Sequence, residues 1–176
     1  LHGEVIGAET LWSCTSCSAC TEVCPLAVDP VRMITDMRRF LIGEGGLSGP
    51  PAAALQKMQR SGNPWGLAKQ DRFDWAEGLE VPTVVTNPGF EVLYWIGCAA
   101  SYDRRAQKVA RAVVKLLKIA GVNYATLGPE ERCNGESARR MGDEFLFQEL
   151  AGHNVETLAR YKVRKVITHC PHCLNS

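Results

Sequence analysis

The chain has 176 residues, 45% of them apolar, with 20 Lys plus Arg against 19 Asp plus Glu and a formal charge of +1. That composition supports a packed core and argues against disorder. The even charge balance argues against a nucleic-acid binder, which carries a basic excess or stripe. No run approaches the roughly 18 consecutive apolar residues of a membrane span, and Leu1-His-Gly-Glu has neither the basic nor the apolar region of a signal peptide.

In chain order, Thr10 and Ser13 are helix-start signals around Leu11-Trp12. Four cysteines follow at Cys14, Cys17, Cys20 and Cys24, the last just before Pro25. Asp29-Pro30 reads as an N-cap with Pro at the first helical position. It predicts a helix over 31–42, with Val31, Ile34, Met37, Leu41 and Ile42 mostly on one side and Arg32, Asp36 and Arg39 more exposed. Gly43 is the expected stop. Residues 43–90 hold eight Gly and five Pro in 48 positions. That density predicts a connector with short helices only, at 52–60 and 71–78, pinned to its neighbours by Trp65 and Trp75.

Residues 91–176 alternate in type. A short apolar run over 91–96 predicts a buried strand ending at Gly97-Cys98. Val109, Val113, Leu116, Leu117 and Ala120 recur at helical spacing and predict a helix over 104–120. Lys115 and Lys118 suit its C-terminal dipole, and Gly121 stops it. A second strand is expected over 122–127, a helix over 137–161 kinked at Gly152, and a third strand over 165–169. The order β-α-β-α-β predicts a parallel sheet with right-handed crossovers.

Eight cysteines suit disulfides, zinc or iron–sulfur clusters. A secreted disulfide scaffold spreads its cysteines along a short, loop-rich chain, whereas here four crowd into eleven residues. A run spaced by two, two and three residues is poorly placed to pair with itself and well shaped to wrap a cluster, which also implies a reducing compartment. Cys14-x2-Cys17-x2-Cys20-x3-Cys24-Pro25 resembles the bacterial ferredoxin motif. Three thiolates on one tight loop reach three irons of a cubane, and the fourth, turned by its proline, serves another cluster. Zinc or unligated buried thiols are the bland alternatives. Only one such run is present, so its counterpart is expected upstream of Leu1, and the missing initial Met agrees with a fragment of something longer. Without that counterpart the 176 residues should hold this cluster poorly, unless Cys24 closes the same cubane.

The second set is Cys98, Cys133, Cys170 and Cys173, separated by 34 and 36 residues and closed by a CxxC. Cys98 and Cys170 directly follow predicted parallel strands, and Cys133 lies in the loop after the second. All then fall on the carboxyl edge of one sheet, where open α/β sheets place their ligand sites. Buried structural cysteines, a zinc site and a thioredoxin-like redox pair remain alternatives. His169 and His172 flank the CxxC as candidate ligands or proton carriers, or as plain hydrogen-bond partners. Arg139 and Arg140 either offset cluster charge or form a solvated helix face. No nucleotide-binding glycine motif, HExxH or GxSxG occurs.

Gly97-Cys98-Ala-Ala-Ser-Tyr-Asp, Arg132-Cys133-Asn134-Gly135-Glu-Ser-Ala and Thr168-His169-Cys170-Pro171-His172-Cys173-Leu-Asn together resemble the cysteine-rich CCG domain. That domain occurs in heterodisulfide reductase subunits and related iron–sulfur oxidoreductases. With Cys14–Pro25 in front, the chain is similar to their fused ferredoxin-plus-CCG form, and Leu11-Trp-Ser-Cys and Asn63-Pro-Trp-Gly look closest to the branch linked to electron-transfer flavoprotein and menaquinone. Family members generally carry paired cysteines before the Gly, where this chain has Asn134; four thiolates remain, which suits an ordinary [4Fe–4S] cluster or another four-ligand site and speaks against disulfide-cleaving chemistry there. They also usually carry two CCG repeats.

The resemblance implies an α/β fold. A helical ferredoxin-type iron–sulfur unit would occupy 1–46, a connector 47–90, and a βαβαβ parallel-sheet CCG half-domain 91–176. It implies [4Fe–4S] clusters held by all eight cysteines, and an iron–sulfur oxidoreductase that passes electrons to a flavoprotein or to a quinone-linked membrane subunit. The expected location is cytoplasmic, with any membrane tether in segments outside this chain. No catalytic side chain is singled out. A disulfide or hydroxyacid-linked reductase and a zinc-stabilised binding module are the other readings.

Overall fold

The computed structural model describes residues 3–175, so Leu1 and His2 of the N-terminal sequence, and Ser176, lie outside the described residues. Three short strands form one sheet in the order β2-β1-β3: β1 (Val92–Trp95), β2 (Tyr124–Ala125) and β3 (Val166–Thr168). Both pairings are parallel, with Leu93 opposite Ala125 on one side and Val166 on the other. The central strand reads Val-Leu-Tyr-Trp, an unbroken apolar run, as a strand covered on both faces requires. Leu93 and Tyr94 are completely buried. The predicted α/β class with its parallel sheet is therefore what the chain adopts.

The crossover from β1 to β2 carries α5 (Gly97–Tyr102) and α6 (Arg104–Ile119). Asp103 caps α6, its carboxylate accepting from the amides of Arg105 and Ala106 at 3.0 and 2.8 Å. Ala110 and Val114 of α6 pack with Tyr94, Ile96 and Tyr124 on one side of the sheet. Gly121 takes φ +65° just beyond the helix, the left-handed turn expected of it. On the other side, Leu93, Trp95 and Ala125 pack with Leu127 and Val84, and with Leu158 from the long crossover helix.

That crossover is two helices, α7 (Glu136–Met141) and α8 (Glu144–Arg160), where one helix kinked at Gly152 was expected. The break falls at Gly142-Asp143. Gly142 sits at φ +89°, and a Cβ there would stand 2.6 Å from the Arg39 amide nitrogen. Only glycine fits that approach. Asp143 then caps α8 through the Leu146 amide, and Gly152 lies undisturbed inside it. β2 is also shorter than expected. The Thr126 amide turns to the Pro82 carbonyl and the Thr126 carbonyl accepts from Val84, so pairing passes to the preceding segment.

The N-terminal part holds α1 (Ala8–Ser13), α2 (Ala19–Glu22) and α3 (Pro30–Gly43). Asp29 caps α3, accepting from the Arg32 amide at 3.2 Å, with Pro30 at the first helical position. Thr10 and Ser13 do not start α1: Gly7 is its N-cap, and the Ser13 hydroxyl instead donates back to the Glu9 carbonyl. Gly43 is the last residue of α3 rather than its stop. The helix buries Leu41, as its periodicity predicts, but also Arg38, at 4% exposure.

The Gly/Pro-rich segment holds more helix than its composition predicts. It forms a 13-residue helix, α4 (Gly49–Ser61), longer than the short helices expected, and a 3-10 stretch over Gln70–Ala76. Leu55 and Met58 of α4 share a core with Cys133, Ala138, Leu146 and Leu150. Trp75 is buried in the sheet core as expected. Trp65 is not: it is 45% exposed and only leans on Tyr102, ring centres 6.3 Å apart. Among the described residues no helix is long and apolar enough to cross a membrane.

Candidate metal centres

The carboxyl edge of the sheet gathers four thiols from three places. Cys98 follows β1 in the first turn of α5, Cys133 lies in the loop after β2, and Cys170 and Cys173 frame the start of α9 (Pro171–Leu174) after β3. The Cys98 thiol donates to the Cys133 sulfur at 3.9 Å. Gly97 takes φ +78° and leaves room for the other pair: a Cβ there would lie 2.9 Å from the Cys173 sulfur and 3.8 Å from the Cys170 Cβ. All four are free of disulfides.

Their thiols differ in acidity. Cys133 accepts the hydrogen bond from Cys98 and another from the Gly135 amide, and is drawn down to about 7 despite its burial. Cys98, the donor, is pushed well above the usual thiol value by that same bond and by burial. Cys173 is also raised, by burial first and then by the neighbouring Cys170. Bringing four such groups together out of water is unfavourable while they carry charge without a cation, so the cluster of thiols makes sense as a donor set.

The loops that carry these thiols are held by buried polar groups that sequence patterning missed. Glu131 is 1% exposed and joins three elements. Its carboxylate accepts from the amides of Ile96 and Gly97 at 2.9 and 2.7 Å, and from Arg72 at 3.3 Å. It thus ties the end of β1, just before Cys98, to the loop of Cys133. Burial raises the Glu131 carboxyl, and Arg72 with the two amides pulls it back. Arg72 also donates to the Gly62 carbonyl, which in turn accepts from the Cys133 amide at 2.9 Å. Asn154 of α8 donates to the Cys133 carbonyl at 3.1 Å. Asn63, fully buried, staples the turn after α4 through four bonds to Ser61, Trp65 and Leu67. Glu131 and Asn154 are lone polar residues in the sequence whose partners lie tens of positions away.

Asn134 stands where the resembled family has a second cysteine. Its amide donates to the carbonyls of His172 and Cys173, both at 3.4 Å, and its oxygen accepts from the Glu136 amide at 3.2 Å. It holds the CxxC turn against the start of α7. The histidines are hydrogen-bond partners: His169 Nδ1 meets the Tyr94 hydroxyl at 2.9 Å, and His172 Nδ1 meets Glu136 at 3.1 Å.

Cys14, Cys17, Cys20 and Cys24 run from the end of α1 to the turn beyond α2, with Cys17 and Cys20 exposed and Cys14 and Cys24 half-buried. Ser16 and Ser18 both adopt left-handed backbone, at φ 55° and 63°, which bends this loop sharply around its thiols. The Ala19 amide, helped by the Thr15 hydroxyl, holds Cys17 below the usual thiol value. Arg38 lies beneath, donating to the carbonyls of Leu11 and Cys14 and to the Ser16 hydroxyl.

Among the described residues no three His, Cys, Asp or Glu side chains close around a single point as one metal ion demands. In a cubane each thiolate meets a different iron, so the donors surround a volume instead. Four free thiols on loops anchored from below fit such a group.

The cysteine-rich domain family CCG matches residues 92–176. Over that stretch, just under half of the chain, the sequence is similar to the CCG family. Among curated relatives, the probable iron-sulfur-binding oxidoreductase FadF of Bacillus subtilis is 42% identical over 99% of this chain and 26% of its own length. The EtfAB:quinone oxidoreductase of Syntrophomonas wolfei is 41% identical over 96% of the chain and 24% of its own length. A component of the dihydromethanophenazine:CoB--CoM heterodisulfide reductase of Methanosarcina barkeri is 30% identical over 93% of the chain and 39% of its own length. The chain thus spans about a quarter of the first two and well under half of the third. No solved structure matches it. The family expected from the cysteine motifs is the one found, and the CCG match starts at β1, at the residue where the strand itself begins.

Proposed function

We propose that this chain is an iron–sulfur electron-transfer segment of an oxidoreductase, passing electrons between two [4Fe–4S] clusters and a flavoprotein or quinone-linked partner. Cys98, Cys133, Cys170 and Cys173 would hold one cluster. Cys14, Cys17 and Cys20 would hold most of another, with Cys24 before Pro25 serving that cluster or a neighbouring one. The observation that carries the reading is the convergence of four unpaired thiols from three strand ends, with Cys98 and Cys133 only 3.9 Å apart. The names of the relatives, an iron-sulfur-binding oxidoreductase and an EtfAB:quinone oxidoreductase, support the partner class. The name of a third, a probable membrane-anchored ferredoxin, supports action at a membrane surface through segments outside these 176 residues.

A bound cluster supplies one-electron chemistry. The chain's own residues supply thiolates, keep water away from Cys133 and fix the loops that carry them. Glu131 and Arg72 do the last beneath Cys98 and Cys133; Arg38 does it beneath Cys14. Asn134, bonded to the CxxC turn, contributes no fifth thiolate, which favours electron transfer over disulfide cleavage at this centre.

The test is anaerobic mixing of the iron-loaded chain with reduced electron-transfer flavoprotein in a stopped-flow spectrometer. Flavin reoxidation should coincide with bleaching of the broad visible absorbance of the chain. If dithionite bleaches that absorbance and the reduced flavoprotein leaves it untouched, the flavoprotein is not the partner.

A further inference from the structure

One hydrogen-bonded chain of side chains runs from the first cysteine loop to the CxxC turn. Arg140, on α7, donates from Nη1 to the carbonyls of Ser16 and Thr15, at 3.1 and 3.4 Å. Its Nε donates to Glu136, one helical turn earlier. The other oxygen of Glu136 meets His172 Nδ1 at 3.1 Å, and His172 lies inside the Cys170–Cys173 turn. The Glu136 side chain is only 4% exposed and the Arg140 side chain 32%, while that of His172 is 68% exposed. Arg38 closes the frame from the other side, donating to the Arg140 carbonyl at 2.9 Å as well as to the Cys14 carbonyl at 2.5 Å.

The two ends of this chain are a loop and a turn that carry cysteines of the two sites. The first loop turns through left-handed Ser16 and Ser18, a backbone form that persists only where surrounding contacts impose it. The carbonyls of Thr15 and Ser16 are what Arg140 grips. The CxxC turn rests on His172 and on Asn134, both bonded to the start of α7. A planar guanidinium with donors on two edges can hold both ends at once, and a network shared between two loops makes ordering one of them ease ordering the other.

We propose that Arg140 is a positioning residue that couples the two cysteine centres, transmitting order in the Cys170–Cys173 turn through His172 and Glu136 to the Cys14–Cys17 loop. Coupling of this kind is reciprocal, and its usual size is about 5- to 150-fold in affinity or protection. The effect of metal loading rests on the function proposed above; the effect of Arg140 on the metal-free loop does not.

The experiment uses Cys17 as a reporter, because it is exposed and reads the order of its loop. Cys14→Ser and Cys20→Ser together prevent the first loop from holding a cluster, leaving Cys17 free. Its alkylation by iodoacetamide is followed by mass spectrometry, with iron and sulfide loaded at the second centre or stripped by chelator. In the metal-free protein, Arg140→Gln should speed alkylation of Cys17 about fivefold or more. Arg140→Lys should do the same, since lysine keeps the charge and loses the fork. With Arg140 present, loading the second centre should slow Cys17 by a similar factor, and in either variant that slowing should vanish. Circular dichroism checks that the variants fold. Unchanged alkylation in folded, metal-free Arg140→Gln and Arg140→Lys overturns the proposal. So does equal slowing on loading with and without Arg140. Failure of the second centre to take up iron and sulfide at all contradicts the proposed function, while the metal-free comparison still decides the role of Arg140.

Discussion

Replacing Cys17 by serine is expected to abolish one of two [4Fe–4S] electron paramagnetic resonance signals and leave the other in place. Cys14, Cys17 and Cys20 lie on one sharply turned loop whose backbone is fixed by Arg38 and Arg140. Serine keeps the size of the side chain but offers iron a far weaker donor. Loss of one ligand from a set of this kind should remove about four of roughly eight iron atoms per chain. The second centre draws its thiols from different strand ends, so its signal should persist, though with easier release to chelators if the two sites are coupled. Full iron content and an unchanged spectrum in Cys17→Ser would refute the assignment of the first loop.

The largest effect on folding is expected at Glu131. Its carboxylate, at 1% exposure, neutralises Arg72 at 3% and accepts the two amides that end β1. Glu131→Ala leaves a buried guanidinium without its counter-charge and two buried N–H groups without an acceptor. Removing one partner of a buried pair costs about 3–5 kcal/mol, and marginal domains have only about 5–15 kcal/mol in total. Urea unfolding of Glu131→Ala should therefore show a midpoint far below that of the parent. Glu131→Gln, which keeps one acceptor oxygen, should fall between the two. A loss under about 1 kcal/mol in Glu131→Ala would show that the pair is not a structural clamp.

The parts of this fold that follow from local pattern were legible in the sequence. The helix after Asp29-Pro30, the helix closed by Gly121 and the three strands in parallel order each rest on spacing, caps or apolar runs, and each is present. The carboxyl-edge gathering of Cys98, Cys133, Cys170 and Cys173 followed from those strands, because a parallel sheet brings its strand ends to one side. What was not legible depends on tertiary contact. The break at Gly142 arises from the close passage of α3 near Arg39, which no property of the 137–161 stretch announces. Gly and Pro density suggested a connector with short helices only, and gave no sign that α4 carries Leu55 and Met58 into the core around Cys133. Arg38, Arg72 and Glu131 carry no local signal of burial, which is explained only by carbonyls, amides and counter-charges brought from distant segments. Arg140 reads in the sequence as either a charge offset or a solvated face, and nothing local announces that its guanidinium donates to the Thr15 and Ser16 carbonyls of the first cysteine loop.

The central claim is that the thiols gathered at the sheet edge and on the first loop are iron–sulfur ligands. The most direct measurement is iron, zinc and acid-labile sulfide per chain in anaerobically purified protein, with the electron paramagnetic resonance spectrum of the dithionite-reduced sample. The account predicts brown protein, iron and sulfide in about equal amounts, and reduced [4Fe–4S] signals that diminish when Cys133 is replaced by serine. Colourless protein holding stoichiometric zinc and no labile sulfide would contradict it.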